Sequence, residues 1–451
     1  MKPRSTPHIL LVNPWIHDFA AYDFWARPLG LLLLGAALRE HGLRVSYLDC
    51  LDRFHPEAPP SNPDVRYGRG PYRKTRIPRP EKLGDIPRNF CRYGIDPEWF
   101  EKDLRSLPRP HLILVTSLMT YWYPGVQETI RILRRVHPEV PILLGGIYAT
   151  LCSEHATAVS GADRVFPGNG ILKILKEIEA HTGDPVEPRF DPEDPEAWPY
   201  PALDLQRRIP FVPLLTSRGC PFACAYCASR FLEPKRRVRS PERVMSEIRH
   251  WHEGYGITDF VFYDDALLVR PDHHIIPLLK AVIESGMTVR FHTPNAIHIR
   301  EIRSELAALM QAAGFKTIRL GLETAAFEAE NRLDRKVTES EFNKAIHHLL
   351  NAGFETREIG AYLLAGLPDQ SPEAVAESIR TVRESGITPV PAYYTPIPHT
   401  GLWNRAKAVS RYDLAADPIF TNNALLPCWP RFSWDILSYL KNLARGSSDS
   451  K

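Results

Sequence analysis

Continuous apolar runs alternate with stretches of helical period along the first part of the chain. Residues 9–12, Ile-Leu-Leu-Val, are stopped by Asn13-Pro14 and have the pattern of a strand buried on both faces. Residues 29–40 predict a helix ended by Gly42, and residues 45–48 a second strand. Residues 112–116 predict a third strand, followed by a helix over 124–136. In that helix Val126, Ile130 and Leu133 share a face and a proline stands at the start. Residues 142–144, closed by Gly145-Gly146, predict a fourth strand, residues 164–166 a fifth, and residues 171–180 a last helix. This β-α-β alternation predicts an α/β fold beginning with a Rossmann-like, doubly wound parallel sheet over residues 1–185. In a 2-1-3-4-5 strand order the switch point falls between the first and third strands, so loops 13–15 and 117–121 would meet at one ligand crevice. Gly145 and Gly146 would let a large ligand approach the backbone there. No G-x-G-x-x-G follows the first strand, so a dinucleotide is not expected.

A proline-rich insertion, residues 51–110, interrupts this alternation and carries a basic, tyrosine-bearing piece from Arg66 to Lys74. It is expected to be a solvated surface insertion; a lid over a negatively charged substrate is the sharper alternative. His17 is expected on a surface loop. A linker is expected over residues 186–205, where prolines cluster. Six further strand-like runs follow, at 211–215, 260–263, 289–292, 317–320, 359–364 and 390–394, with helical stretches between them. The clearest helix starts at Ser240-Pro241-Glu242, a serine cap with proline in the first turn. Six β-α repeats over residues 206–405 predict a partial TIM-type (β/α)6 barrel, whose chemistry would sit at the C-terminal ends of its strands. Those ends carry a cysteine loop, Asp264-Asp265, Thr293-Pro294-Asn295, Gly321-Leu322-Glu323-Thr324, Gly366-Leu367-Pro368 and Pro396-Ile397-Pro398. The C-terminal extension, residues 406–451, contains an amphipathic stretch with Ile436, Tyr439, Leu440 and Leu443 on the face expected to pack on the barrel.

Composition narrows the partners. The net charge of +3, from 56 basic and 53 acidic residues, provides no overall field for nucleic acid or a membrane surface. The longest apolar segment, residues 29–38, is too short to span a bilayer, and the N-terminus lacks the apolar region of a signal peptide. Seven cysteines, odd in number and unevenly spread, do not make a disulfide framework. A cytoplasmic location, where thiols stay reduced, is expected.

Three of those cysteines, Cys220, Cys224 and Cys227, form a C-x-x-x-C-x-x-C loop directly after the first strand of the second series. Three thiolates on one loop can grip a metal or cluster and leave one position open, as catalytic metal sites do. A structural zinc would need a fourth ligand, and the nearest downstream histidines, His250 and His252, lie beyond a predicted helix. A closed ferredoxin-type cluster would need a fourth cysteine, and Cys152 and Cys428 are far off in sequence. A 4Fe–4S cluster with one iron left free fits the spacing best.

The loop, with Tyr226 just before its third cysteine, is similar to the signature of the radical S-adenosylmethionine (SAM) superfamily. The later strand ends extend the likeness: 262–265 resembles the family's second-strand motif, which contacts the methionyl amino group, and 321–324 its ribose-contacting fourth strand. Segments 360–368 and 394–398 resemble its fifth and sixth strands. The resemblance implies that Cys220, Cys224 and Cys227 hold three irons and that SAM chelates the fourth. Reductive cleavage of SAM would then give methionine and a 5′-deoxyadenosyl radical that abstracts hydrogen from an unactivated carbon. Tyr226, Asp264, Asp265, Asn295, Glu323, Thr324, Gly366 and Pro398 are the implied SAM contacts. The first domain resembles the cobalamin-binding domain that precedes the barrel in one large subgroup, through Pro28-Leu29-Gly30-Leu31, Thr116-Ser117-Leu118, Gly145-Gly146 and Gly168-Asn169-Gly170. Thr116, Ser117, Leu118, Gly145 and Gly146 are the implied cobalamin contacts, although the D-x-H-x-x-G motif that supplies a cobalt-ligating histidine elsewhere is absent. The implied activity is cobalamin-dependent methylation, with a small-molecule or peptide substrate and a reductant protein such as a flavodoxin or ferredoxin. A non-methylating radical SAM enzyme and a non-catalytic corrinoid or Fe–S binding protein are the alternatives.

Overall fold

The computed structural model describes residues 6–168, 170–183, 185–327, 337–429 and 433–446, so Asn169 lies outside the described residues. The chain forms two compact units: Met1–Pro210 with Asp417–Ile419, and Phe211–Ala416 with Phe420–Lys451.

The first unit is built on strands β1 (His8–Asn13), β2 (Arg44–Asp49), β3 (Leu112–Val115), β4 (Ile142–Leu144) and β5 (Arg164–Val165). All are parallel, in the order β2-β1-β3-β4-β5, so the predicted order and switch point hold. The apolar run at Ile9–Val12 is fully buried because the sheet is covered on both faces. Helix Leu29–Glu40 contributes Leu31, Ala37 and Leu38 to one core, together with Ile171, Leu175 and Ile178 from helix Ile171–Thr182.

Three expectations are modified in this unit. Much of the insertion is solvated as expected, with residues 56–67 mostly exposed, but it is also built into the fold. Its strand Cys91–Tyr93 pairs antiparallel with both Lys74–Arg76 and Ile16–Asp18. Ile16, Leu51, Tyr72, Cys91 and Tyr93 form a separate small core there, and helix Pro97–Ser106 buries Phe100 and Leu104. His17 therefore belongs to a strand and is buried, with Nε2 2.7 Å from Glu128 Oε2, while Arg92 holds the other Glu128 oxygen at 3.0 Å. The expected linker is likewise packed. Trp198 is buried against Phe190, their ring centroids 5.3 Å apart, and the Ala202 N–H donates to Leu32 O at 3.0 Å.

The second unit is organised by six parallel strands: β6 (Val212–Leu214), β7 (Asp259–Phe262), β8 (Arg290–His292), β9 (Phe315–Glu323), β10 (Ile359–Ala365) and β11 (Thr388–Tyr393). They pair in sequence order, and β6 and β11 are the two edges, so the barrel is partial as expected. Phe262, Phe291 and Phe315 from three neighbouring strands pack ring to ring, with centroids 5.3, 5.4 and 5.7 Å apart. Asp259, at the start of β7, accepts hydrogen bonds from Arg290 at 2.7 and 2.5 Å and from His292 Nε2 at 3.0 Å. Helix Pro241–Tyr255 starts as expected, with Ser240 Oγ accepting from the Arg243 N–H. Helix Trp434–Arg445 buries Leu437 and Leu440. Tyr439, expected on the buried face, is exposed and its hydroxyl accepts from Arg380. Among the described residues no helix is long and apolar enough to cross a membrane.

Candidate active site

The cysteine loop leaves β6 at the C-terminal end of the barrel. Its root, Ser217–Arg218, pairs antiparallel with Arg237–Val238. Gly219 then turns the chain at φ +76°, and a Cβ there would lie 2.8 Å from Lys235 O and 3.0 Å from Glu233 O. A glycine is required by both conformation and space. The Cys227 N–H donates to Cys224 O at 3.1 Å, and the Ser229 N–H points at Cys227 Sγ at 3.4 Å. Two ring pairs hold the loop from outside. Phe222 meets His298 at 4.5 Å, and Phe231 stacks flat on His399 at 4.0 Å. The Leu402 N–H donates to Ala225 O at 2.8 Å.

Cys220 and Cys224 are half-buried, Cys227 is exposed, and all three are free thiols. Burial pushes the Cys220 thiol up, and the neighbouring Cys224, Asp265 and Cys227 charges add to this against a hydrogen bond from the Phe222 backbone. Ligation would therefore have to drive deprotonation, as it does for metal thiolates generally. Among the described residues no three Cys, His, Asp or Glu side chains converge on a single-ion site. Three thiols spread along one loop, with a backbone N–H aimed at one sulfur, suit a cluster whose irons are separate better than one tetrahedral ion.

The implied SAM contacts divide into two groups. Asp264 is buried, and its carboxylate accepts from Thr216 N–H (3.1 Å), Thr216 Oγ1 (2.7 Å), Ser217 N–H (2.5 Å) and Ser217 Oγ (2.7 Å). Its carboxylate is engaged from within the protein, Oδ1 by three donors and Oδ2 by one, which ties it to the root of the cysteine loop. Thr324 is engaged with Ser378, 3.3 Å away, and accepts from the Ala326 N–H. Gly366 (φ +97°) sits against Leu426, with room for no Cβ, and donates its N–H to Gln370 Oε1. Tyr226 packs against the cluster of Leu367, Tyr394, Ala406, Leu414 and Cys428. Burial drives the Cys428 thiol up to about 12, with Asp369 adding to it, so this cysteine is an inert core residue.

The second group, Asp265, Asn295, Glu323 and Pro398, lies in the segments at the C-terminal ends of the barrel strands, with Glu323 buried. Asp265 is exposed, and surrounding protein raises its carboxyl, opposed by the Ser229 hydroxyl and reinforced by Asp264 and Glu233. Asn295 is exposed and donates Nδ2 to the carbonyls of Tyr263 (2.9 Å) and Asp264 (3.3 Å), tying the ends of β7 and β8. Glu323 ends β9 in a left-handed conformation at φ +65°. Pro398 lies in the turn that the Thr400 hydroxyl closes onto Ile397 O. Arg270, Asp369 and His399 are also left-handed, each in a loop after a barrel strand. Such strain persists where the surroundings impose it, and it gathers at functional sites. The His298 and His399 clamps were not recognisable in the sequence, because their partners lie on other strand-end loops.

In the first unit, Thr116 and Ser117 are buried after β3 and Leu118 is half-buried. Ser117 Oγ donates to Gly145 O at 2.7 Å, and the Ile147 N–H donates to Ser117 O at 2.7 Å. Gly146 is at φ +96°, and a Cβ there would lie 2.3 Å from Ser117 O. Its bareness is required by the protein's own loop. Gly145 is the open one: a Cβ would meet only Phe166 O, at 3.8 Å. Met119, Ile147 and Leu172, which follow β3, β4 and β5, are exposed apolar side chains at this C-terminal edge. Gly146→Ala is expected to cost more than about 1 kcal/mol, measured as a loss of unfolding free energy in urea; wild-type stability would refute the contact.

Comparison with known proteins fits this geometry. Residues 214–388 match the radical SAM superfamily. The second unit is a radical SAM domain. Its matched segment begins at the end of β6 and includes the cysteine loop. Outside the domain the likeness continues. The chain is 22% identical over 444 residues to the cytidylyl-2-hydroxyethylphosphonate methyltransferase of Streptomyces wedmorensis, covering 85% of this chain and 77% of that one. It is 24% identical over 329 residues to an uncharacterized methyltransferase of Pyrococcus horikoshii, covering 66% and 70% of the two chains. The fold is shared with the radical SAM methyltransferase TsrM of Kitasatospora setae, solved with cobalamin and a [4Fe-4S] cluster. The TM-score is 0.63, identity 16%, and coverage 90% of this chain and 76% of that one. The radical SAM domain follows a Rossmann-like domain here, and the shared fold covers 90% of this chain.

Proposed function

We propose that this protein is a cobalamin-dependent radical SAM methyltransferase acting on an unactivated carbon of a small-molecule or peptide substrate. The observation that carries the reading is the three-cysteine loop at the C-terminal mouth of a six-stranded partial barrel, inside a radical SAM domain. A bound cluster supplies one electron for reductive cleavage of SAM, and a bound corrinoid supplies the methyl group.

The chain's own residues would do the rest. Cys220, Cys224 and Cys227 hold the cluster and leave one iron for the amino and carboxylate groups of SAM. Asp265, the solvent-facing carboxylate of the pair, meets the methionyl ammonium. Glu323 suits the ribose hydroxyls. In the first unit, Gly145 and the exposed Met119, Ile147 and Leu172 form an open, apolar edge suited to a flat macrocycle. The name of the Streptomyces relative speaks for a methyl-transfer outcome over cyclisation. The electron donor is a reductant protein such as a flavodoxin or ferredoxin, and the setting is the cytoplasm, where the thiols stay reduced.

The test is anaerobic reconstitution with iron and sulfide, then SAM, dithionite and hydroxocobalamin. The expected results are 5′-deoxyadenosine dependent on both reductant and cluster, and corrinoid absorbance that survives gel filtration. Absence of 5′-deoxyadenosine would remove the radical reading, while loss of the corrinoid on the column would remove only the methyl-carrier part.

A further inference from the structure

Four hydrogen bonds converge on Asp264, and all four donors belong to Thr216 and Ser217, the two residues that lead from β6 into the cysteine loop. We propose that Asp264 is a positioning residue: through Thr216 and Ser217 it clamps the root of the cysteine loop, and His274 completes the clamp from behind Thr216. This role rests on the reading of that loop as the cluster site.

The chemistry of the donors orders the chain. A threonine hydroxyl has one proton, and Thr216 gives it to Asp264 Oδ1 at 2.7 Å. His274 Nε2 lies 2.7 Å from the same hydroxyl and donates to it in the tautomer that carries the proton on Nε2. His274, Thr216, Ser217 and Asp264 are all buried, at 3%, 0%, 2% and 2% exposure. In such a place each unmade hydrogen bond is costly, so the arrangement is strongly favoured over its alternatives.

The clamp also crosses the sheet. Asp264 follows β7, the neighbour of β6, and the carbonyls of Tyr263 and Asp264 accept from Asn295 after β8. One hydrogen-bonded path therefore joins the ends of three adjacent strands beneath the loop. Beyond it, the loop is held by the Phe222–His298 ring contact, the packing of Tyr226 and a backbone bond from Leu402 to Ala225. Removing the clamp would strip the buried side-chain anchor from the root and leave it its backbone pairing with Arg237–Val238. Outer partners that orient metal ligands typically change metal affinity by about 10- to 100-fold when removed.

The experiment compares wild type with Asp264→Ala, Asp264→Asn and Thr216→Val, each checked by circular dichroism. Two readouts are followed: release of the reconstituted cluster to a chelator, with the electron paramagnetic resonance spectrum of the reduced cluster, and alkylation rates of the three thiols in cluster-free protein. Asp264→Ala is expected to release the cluster about 10- to 100-fold faster, with a broadened spectrum and altered alkylation rates. Asp264→Asn should fall between it and wild type, because its amide oxygen can still accept three of the bonds while its NH2 faces the Thr216 N–H. Wild-type release, spectrum and alkylation in folded Asp264→Ala would overturn the proposal. Should that variant not fold, Thr216→Val decides: faster release supports the clamp, and wild-type release overturns it. If wild-type protein takes up no cluster, the functional reading fails, and the alkylation rates alone decide the clamp.

Discussion

Cys224→Ala abolishes iron–sulfur uptake at the barrel and reduces reductive SAM cleavage to background. The loop offers three thiols and no substitute donor of comparable chemistry. The Ser229 hydroxyl lies 3.2 Å from Cys227 Sγ and remains a neutral alcohol at any accessible pH. Two thiolates cannot hold three irons, so the loss is of the cluster itself and not of a fraction of its activity. Cys50→Ala is the matched control. Cys50 is fully buried in the first unit, where burial pushes its thiol far up and leaves it unreactive. Iron and sulfide per chain, with 5′-deoxyadenosine by chromatography, should separate the two variants completely. Wild-type iron content in Cys224→Ala would refute this loop as the ligand set.

Asp259→Asn destabilises the second unit by about 2 kcal/mol, the scale for hydrogen bonds to a charged group, because the Arg290 partner is itself 39% exposed. Asp259 is buried between Arg290 and His292, and His292 is wholly inaccessible. Burial alone would raise the Asp259 carboxyl, but the hydrogen bonds and charges of Arg290 and His292 outweigh it and hold the group below the usual carboxylate range. A carboxylate lowered in the folded state contributes stability above its unfolded value of about 3.9, and that contribution is lost as pH falls through the lower folded value. The network therefore supports the barrel at neutral pH and weakens only on the acid side. The network lies at the N-terminal side of the barrel, away from the cysteine loop, so the variant tests stability apart from chemistry. Hydrogen exchange of peptides covering β7 and β8 at pH 7 measures the first effect, and urea unfolding followed from pH 4 downward through the folded value measures the second. Unchanged exchange at pH 7 would contradict the assignment.

The strands were legible because their signal is local. A parallel strand covered on both faces must be an unbroken apolar run, and Ile9–Val12, Leu112–Val115 and Phe260–Phe262 are such runs. The packing within the insertion and the linker was missed for the opposite reason. Residues 16–18 pair with 91–93, and Trp198 finds Phe190 under a proline-rich stretch. Neither partnership leaves a period in the sequence, and proline content masked the buried Leu83, Ile86 and Phe90. His17 was drawn from surface to interior by the same pairing.

What the sequence alone determined is the order of the secondary elements and the donor chemistry of the cysteine loop. Both depend on residues adjacent in the chain: the apolar runs for the strands, and the C-x-x-x-C-x-x-C spacing for three thiols with an open position. Only the tertiary structure decided between Asp264 and Asp265. They are neighbours of the same chemistry, but adjacent side chains leave a strand end on opposite sides. One turns into the protein toward Thr216 and Ser217, and the other turns out toward solvent. The hydrogen-bond donors that make Asp264 an anchor come from the segment that follows β6, some 47 residues earlier in the chain, and no reading along the chain could supply them.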